Sequence, residues 1–166
     1  MNAQPPATPA NQLPAIQHVV QLMLENRSFD HMLGFLYADS GNKSPTGAAF
    51  EGLTGQESNP DTNGSPVQVF KIDTAQQGAY FMPGADPGEG YANTNSQLFG
   101  SGNPPAPVPT NQGFVTNFDA TIAWDQRVGR TVQPGATAAN IMGMFTPQAL
   151  PVLSGLARGF AVCDHW

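Results

Sequence analysis

The sequence predicts an α/β fold, a largely parallel sheet opened by a long loop-rich insertion, and three observations point to it. An apolar run at Ile16–Leu24 passes directly into residues at helical spacing. The stretch Tyr37–Gln112 then loses periodicity, and helical patterns ending in a second apolar run, Phe160–Cys163, close the chain.

Each element has its own local reason. Ile16–Leu24 is rich in Val and Leu and broken only by His18 and Gln21, the pattern of a strand buried on both faces. Glu25-Asn26-Arg27-Ser28 makes a sharp turn, after which Phe29, Met32, Leu33 and Leu36 follow a helical face, with Ser28 as N-cap and Asp30 in the first turn. Within the excursion, Asn-Pro-Asp-Thr-Asn-Gly and Gly-Asn-Pro-Pro-Ala-Pro mark loops. Only Val67–Ile72 there has strand composition, and Tyr91–Phe99 is read as a short helix. Loops of this length inside a domain line a site or pack on a neighbour. Helices are predicted over Gly113–Trp124 and Thr137–Phe145. Another runs from Leu150 towards Phe160, where Pro151 fits only if the helix starts there and Gly159 supplies the stop. Phe160–Cys163 reads as a second buried strand, Cys163 as an inert core thiol, and Asp164 and His165 as polar groups at the strand's carboxyl end. Residues 1–14, rich in Pro, Ala, Asn and Gln, are expected as a flexible tail, with 15–166 forming one unit without internal repeats.

Composition narrows the function. The chain has 166 residues, enough for one core, and its 18 Gly and 16 Pro demand much loop. Twelve acidic against six basic side chains give a net charge of -6, which leaves no cationic surface for a nucleic-acid backbone. No apolar stretch approaches the roughly 20 residues of a transmembrane helix. The N-terminal residues have neither the cationic nor the apolar region of a signal peptide. The single cysteine excludes a disulfide framework and a Cys-rich zinc site.

Ligands of open parallel sheets bind beyond the carboxyl ends of strands, and the polar clusters fall in such places. Glu25 and Asn26 offer a carboxylate and an amide carbonyl side by side, hard oxygens suited to a divalent cation, and the following helix start favours a phosphate group. The same residues also make an ordinary capped turn, with Glu25 solvated. His31 reads as a packing or hydrogen-bonding residue or as a contributor to the site, and Arg27 and Asp30 are spaced for a local ion pair. Asp86 and Glu89 form an acidic turn or a second wall of the site; Asp164 and His165 stabilise a strand end or sit beside a metal. No Gly-x-Ser-x-Gly elbow, phosphate-binding Walker loop or His-x-x-x-His motif is present.

The segment from Ile16 to Gly34, with its Glu25-Asn26-Arg27-Ser28-Phe29-Asp30-His31 centre, resembles the opening signature of the bacterial phosphoesterase family of phospholipases C and acid phosphatases. Leu150–Leu153 and Phe160–Trp166 resemble the helix and strand that lead to that family's nucleophile loop, and Asp86-Pro87-Gly88 and Gly113-Phe114-Val115 fall between in the expected order. The resemblance implies an alkaline-phosphatase-like fold, of which this chain is the incomplete N-terminal part. It implies metal-dependent hydrolysis of phosphate esters, phospholipid among them, and a divalent metal ion held partly by Glu25 and Asn26. His31, Asp86, Glu89, Asp164 and His165 are candidate metal-supporting or phosphate-contacting residues. Many family members carry a His where this chain has Glu89. The resemblance further implies a Ser or Thr nucleophile beyond Trp166, the remainder of the enzyme chain as partner, and export to the periplasm or exterior. The alternative is a truncated, non-catalytic remnant or binding protein on the same scaffold, and a fragment of this extent alone is expected to be inactive.

Overall fold

The computed structural model describes residues 15, 17–21, 26–100 and 108–164. The expected tail, residues 1–14, lies outside these, as do Ile16, residues 22–25 and residues 165–166.

Helix α1 spans Phe29–Leu33, capped as its sequence predicts: Ser28 is extended and its hydroxyl accepts from the His31 N–H. The helix ends at Gly34, earlier than the spacing to Leu36 suggested, yet Phe35 and Leu36 are still buried by the turns that follow. Strands β1 (Ser58–Pro60) and β2 (Pro66–Gln68) pair antiparallel around the Asp61–Ser65 turn, in which the Asp61 carboxylate accepts from the N–H groups of Asn63 and Ser65. The single strand expected over Val67–Ile72 is divided at Val69: β3 (Phe70–Lys71) leaves β2 and pairs in parallel with β4 (Gly143–Met144). Among the described residues the sheet is therefore two short two-stranded pieces, one of them parallel.

Helix α2 covers Gly90–Phe99 and α3 covers Phe114–Val128, longer than its predicted end at Trp124 because the chain stays helical to the left-handed Gly129. Helix α3 has no capping side chain of its own at Gly113. The buried Asn59, from β1, accepts from the Val115 N–H and donates to the Asn111 carbonyl. Val115 and Phe118 on α3 are fully buried, and Val115 joins Phe35, Leu53, Val69, Met142 and Met144 in the main core. A second cluster gathers Ile72, Ala79 and Phe145. Each Val, Leu, Ile, Phe or Met of these clusters contributes about 1.5–3 kcal/mol on burial. Helix α4, Pro151–Gly159, starts at its proline.

Three expectations are corrected. Residues 17–21 are not a buried strand: they have no regular structure, and Val19 and Val20 are 84% and 94% exposed. Phe160–Cys163 is likewise irregular, with Phe160 82% exposed and Cys163 an exposed thiol, not a core one. Apolar composition marks what a strand would bury; among the described residues no strand lies beside either run to pair with it. The helix expected over Thr137–Phe145 is a short 3-10 turn at Ala138–Met142 that gives way to β4, whose pairing with β3 takes over the backbone groups. No helix among the described residues is long and apolar enough to cross a membrane.

Candidate functional site

A cavity of about 1060 Å³ lies where the turn before α1, the Phe81–Pro87 loop, β1 and the start of α3 converge. Its wall is mixed: Leu53, Val69 and Phe114 give apolar surface, while Asn59, Asn117 and Gln133 give amides. Arg27 and the carboxylates Asp30, Glu57 and Asp86 also line it.

Asn26 holds the edge of this cavity in an uncommon conformation, with φ 70° in the left-handed region, where Asn is among the few non-glycine residues that sit at modest cost. Its Nδ2 donates to the Asp86 Oδ1 at 3.0 Å, across sixty residues of sequence. The amide carbonyl oxygen is a separate acceptor that this bond does not use. The loop bearing Asp86 is braced from behind by amides: Gln97 donates to the Gly88 carbonyl and to Asn117 Oδ1, and Asn117 donates to Asn93.

His31 is buried and hydrogen-bonded at both ring nitrogens. Nδ1 lies 2.9 Å from the Gly143 carbonyl, which only accepts, and Nε2 lies 3.2 Å from Arg27 Nη1, which only donates. The two partners together fix the neutral tautomer that carries its proton on Nδ1. Burial and then the Arg27 charge lower the His31 pKa, against the opposing pull of the Gly143 bond. Arg27 also donates to the Met82 carbonyl. The local Arg27–Asp30 ion pair expected from spacing does not form; the guanidinium reaches across to the loop instead.

Asp30 and Glu57 escaped the sequence reading as site residues. Desolvation by the cavity wall, and next the charge of Glu57, raise the pKa of Asp30. Burial pushes Glu57 up, but hydrogen bonds from the Thr54 N–H and hydroxyl and from the Gly55 N–H outweigh it and hold the carboxyl below its ordinary value. A Thr-x-x-Glu pattern at Thr54–Glu57 is the local signal that could have identified this turn.

The structure joins Asn26 to Asp86 and puts both, with His31, at the cavity. Glu89 precedes α2 and is exposed, and its carbonyl accepts from the Asn93 amide. Asp164 is held elsewhere, its Oδ2 accepting from the Glu51 N–H at 2.7 Å. Glu25 and His165 lie outside the described residues. Among the described residues no three His, Cys, Asp or Glu side chains form a group able to hold a metal ion.

A polar turn entering a short helix, tied to an acidic loop over a mixed cavity, is the setting in which the chain's relationships are informative. Residues 16–166 match the model of the Phosphoesterase family, and the chain belongs to that family. It is similar to non-specific phospholipase C6 of Arabidopsis thaliana, at 36% identity over 91% of this chain and 24% of the relative. Similarity to non-specific phospholipases C1 and C3 of the same plant is 34% and 33%, again over 91% of this chain and covering 24% and 26% of those proteins. The chain thus spans about a quarter of the length of the curated relatives it matches.

Proposed function

We propose that this chain is the N-terminal part of a metal-dependent phosphoesterase of the phospholipase C type, built on an alkaline-phosphatase-like fold, and that it supplies the first metal-binding turn. The observation that carries this reading is the state of Asn26 at the cavity: left-handed backbone, with its amide nitrogen bonded to Asp86. Family membership and the phospholipase C relatives support ester hydrolysis as the chemistry.

The donors fit a hard divalent cation in kind. Asn26 contributes an amide carbonyl, Glu25 adjoins it in sequence, and oxygen ligands of this sort suit calcium, magnesium or manganese. Such an ion, when bound, neutralises charge on the phosphoryl oxygens and lowers the pKa of an attacking hydroxyl. The chain's own residues do the positioning. Asp86 fixes the Asn26 amide, the amides of α2 and α3 fix the Asp86 loop, and Phe114 and Leu53 provide an apolar wall against which the organic part of an ester packs and water is displaced. No nucleophile is assigned to the described residues.

The test compares the natural gene product with its Glu25→Ala, Asn26→Ala double variant, measuring bound metal by elemental analysis and hydrolysis of p-nitrophenyl phosphate and p-nitrophenyl phosphocholine. Loss of metal together with a fall in rate of at least about tenfold is expected. Metal retained and rate unchanged in the variant would refute the assignment. A natural product that binds metal but cleaves neither ester would favour the non-catalytic scaffold.

A further inference from the structure

We propose, on the basis of the phosphate-ester reading above, that Arg27 is the cavity's phosphate-oxygen contact and that His31 is the positioning residue that presents it. Arg27 is the single Lys or Arg among the described residues that line the cavity. Both of its protein partners, the Met82 carbonyl and His31 Nε2, are neutral acceptors. They orient the guanidinium without cancelling its charge. Among the described residues no carboxylate approaches Arg27 within ion-pair distance, although Asp30, Glu57 and Asp86 line the same cavity. Both described contacts use Nη1, so Nε and Nη2 have no partner among the described residues and remain as a two-pronged donor edge. Two parallel donors at fixed spacing match two oxygens of a phosphoryl group.

Both ring nitrogens of His31 are taken up by protein partners. Its ring is wedged edge-on against Phe145 at 4.9 Å, its Nδ1 proton is given to the Gly143 carbonyl, and its own carbonyl accepts from the Phe145 N–H. The imidazole is therefore held from β4, and Nε2 is a fixed acceptor for Arg27. Because a protonated Nε2 would become a donor and repel the guanidinium, the neutral ring is a condition of the arrangement.

The experiment titrates inorganic phosphate into the full chain, with and without magnesium, and follows binding by calorimetry and the Arg27 Nε–H resonance by NMR. Arg27→Gln is expected to weaken phosphate binding roughly tenfold in both conditions, since it removes a charge-assisted pair. His31→Gln keeps an acceptor near the Nε2 position; His31→Asn keeps the donor to Gly143 but loses that acceptor. The Asn variant is expected to weaken phosphate binding and broaden the Arg27 resonance, and the Gln variant to restore both in part. Arg27 is exposed, so its variant reports even where a His31 variant fails to fold. Absence of phosphate binding by the unaltered chain, or binding that Arg27→Gln leaves unchanged, overturns the proposal. Arg27-dependent binding that is indifferent to magnesium and to Glu25→Ala with Asn26→Ala would sustain it while removing the metal reading.

Discussion

Two substitutions at Asn26 separate the backbone's role from the side chain's. At φ 70° an alanine meets the clash between Cβ and the following carbonyl, a cost of about 1–2 kcal/mol that glycine does not incur. Both variants lose the 3.0 Å bond to Asp86, which is exposed and so worth about 0.5–1 kcal/mol. Glycine adds unfolded-state freedom of about 0.4–1 kcal/mol. Asn26→Ala should therefore be less stable than Asn26→Gly by about 1 kcal/mol, read as urea midpoints at a common slope. Manganese binding by calorimetry should fall equally in both, because both lack the amide carbonyl. An Asn26→Gly protein that binds manganese as the unaltered one does would remove Asn26 as a ligand. Equal stability of the two variants would remove the left-handed conformation from the argument.

Other perturbations reach the scaffold of the site. Asn59 is 2% exposed and serves Val115 N–H and Asn111 carbonyl together, so Asn59→Ala leaves two backbone groups short of partners and should cost about 2–4 kcal/mol in urea unfolding. A Cβ at Gly113 would stand 1.8 Å from the Ser96 carbonyl oxygen; Gly113→Ala must part α2 from α3 and should lower the thermal midpoint by the equivalent of about 1–3 kcal/mol. Burial, followed by Arg27, lowers the His31 pKa, so the unfolded chain binds a proton that the folded chain refuses. The His31 contribution is then intact above its ordinary value of 6.5 and is lost as pH falls from there through the lowered folded value; unfolding of His31→Gln across that window should show a flatter profile. Asp30 acts in the opposite sense. Its folded pKa is raised, first by desolvation and then by Glu57, so its contribution is present at low pH and lost as pH climbs from 3.8 through the folded value, a slope that Asp30→Asn should abolish.

Helices α2, α3 and α4 were legible in the sequence because their signals are local: periodic apolar positions in α3, and a proline opening and a glycine ending α4. The strands were not, because each is only two or three residues long and exists through a partner distant in sequence, as β3 does through β4. Val67–Ile72 has strand composition throughout, yet the division at Val69 follows from two different partners claiming its halves. The apolar runs 16–24 and 160–163 show the same limit from the other side. In the site, Asn26 and Asp86 were visible as polar turn residues, but a hydrogen bond spanning sixty positions leaves no mark on spacing. Glu57 and Asn59 sat in a stretch read only as loop, and Asp30 was read as helix-start charge; the cavity that gives them a shared setting is a tertiary feature.

The contacts of residues 26–31 account for how a solvent-facing turn can keep a defined geometry. Consecutive residues grip one loop at two points: Asn26 holds Asp86, and Arg27 holds Met82 four residues earlier. Either bond alone, at an exposed position, would leave the loop free to pivot about it, since single exposed hydrogen bonds contribute about 1 kcal/mol or less. Two bonds on adjacent residues remove the pivot, and the buried imidazole of His31 anchors the second of them to β4. The rigidity of the polar edge is thus set by a residue that stands behind it, hydrogen-bonded at both nitrogens and packed on Phe145. A change at His31 should consequently alter what the cavity binds through the placement of Arg27.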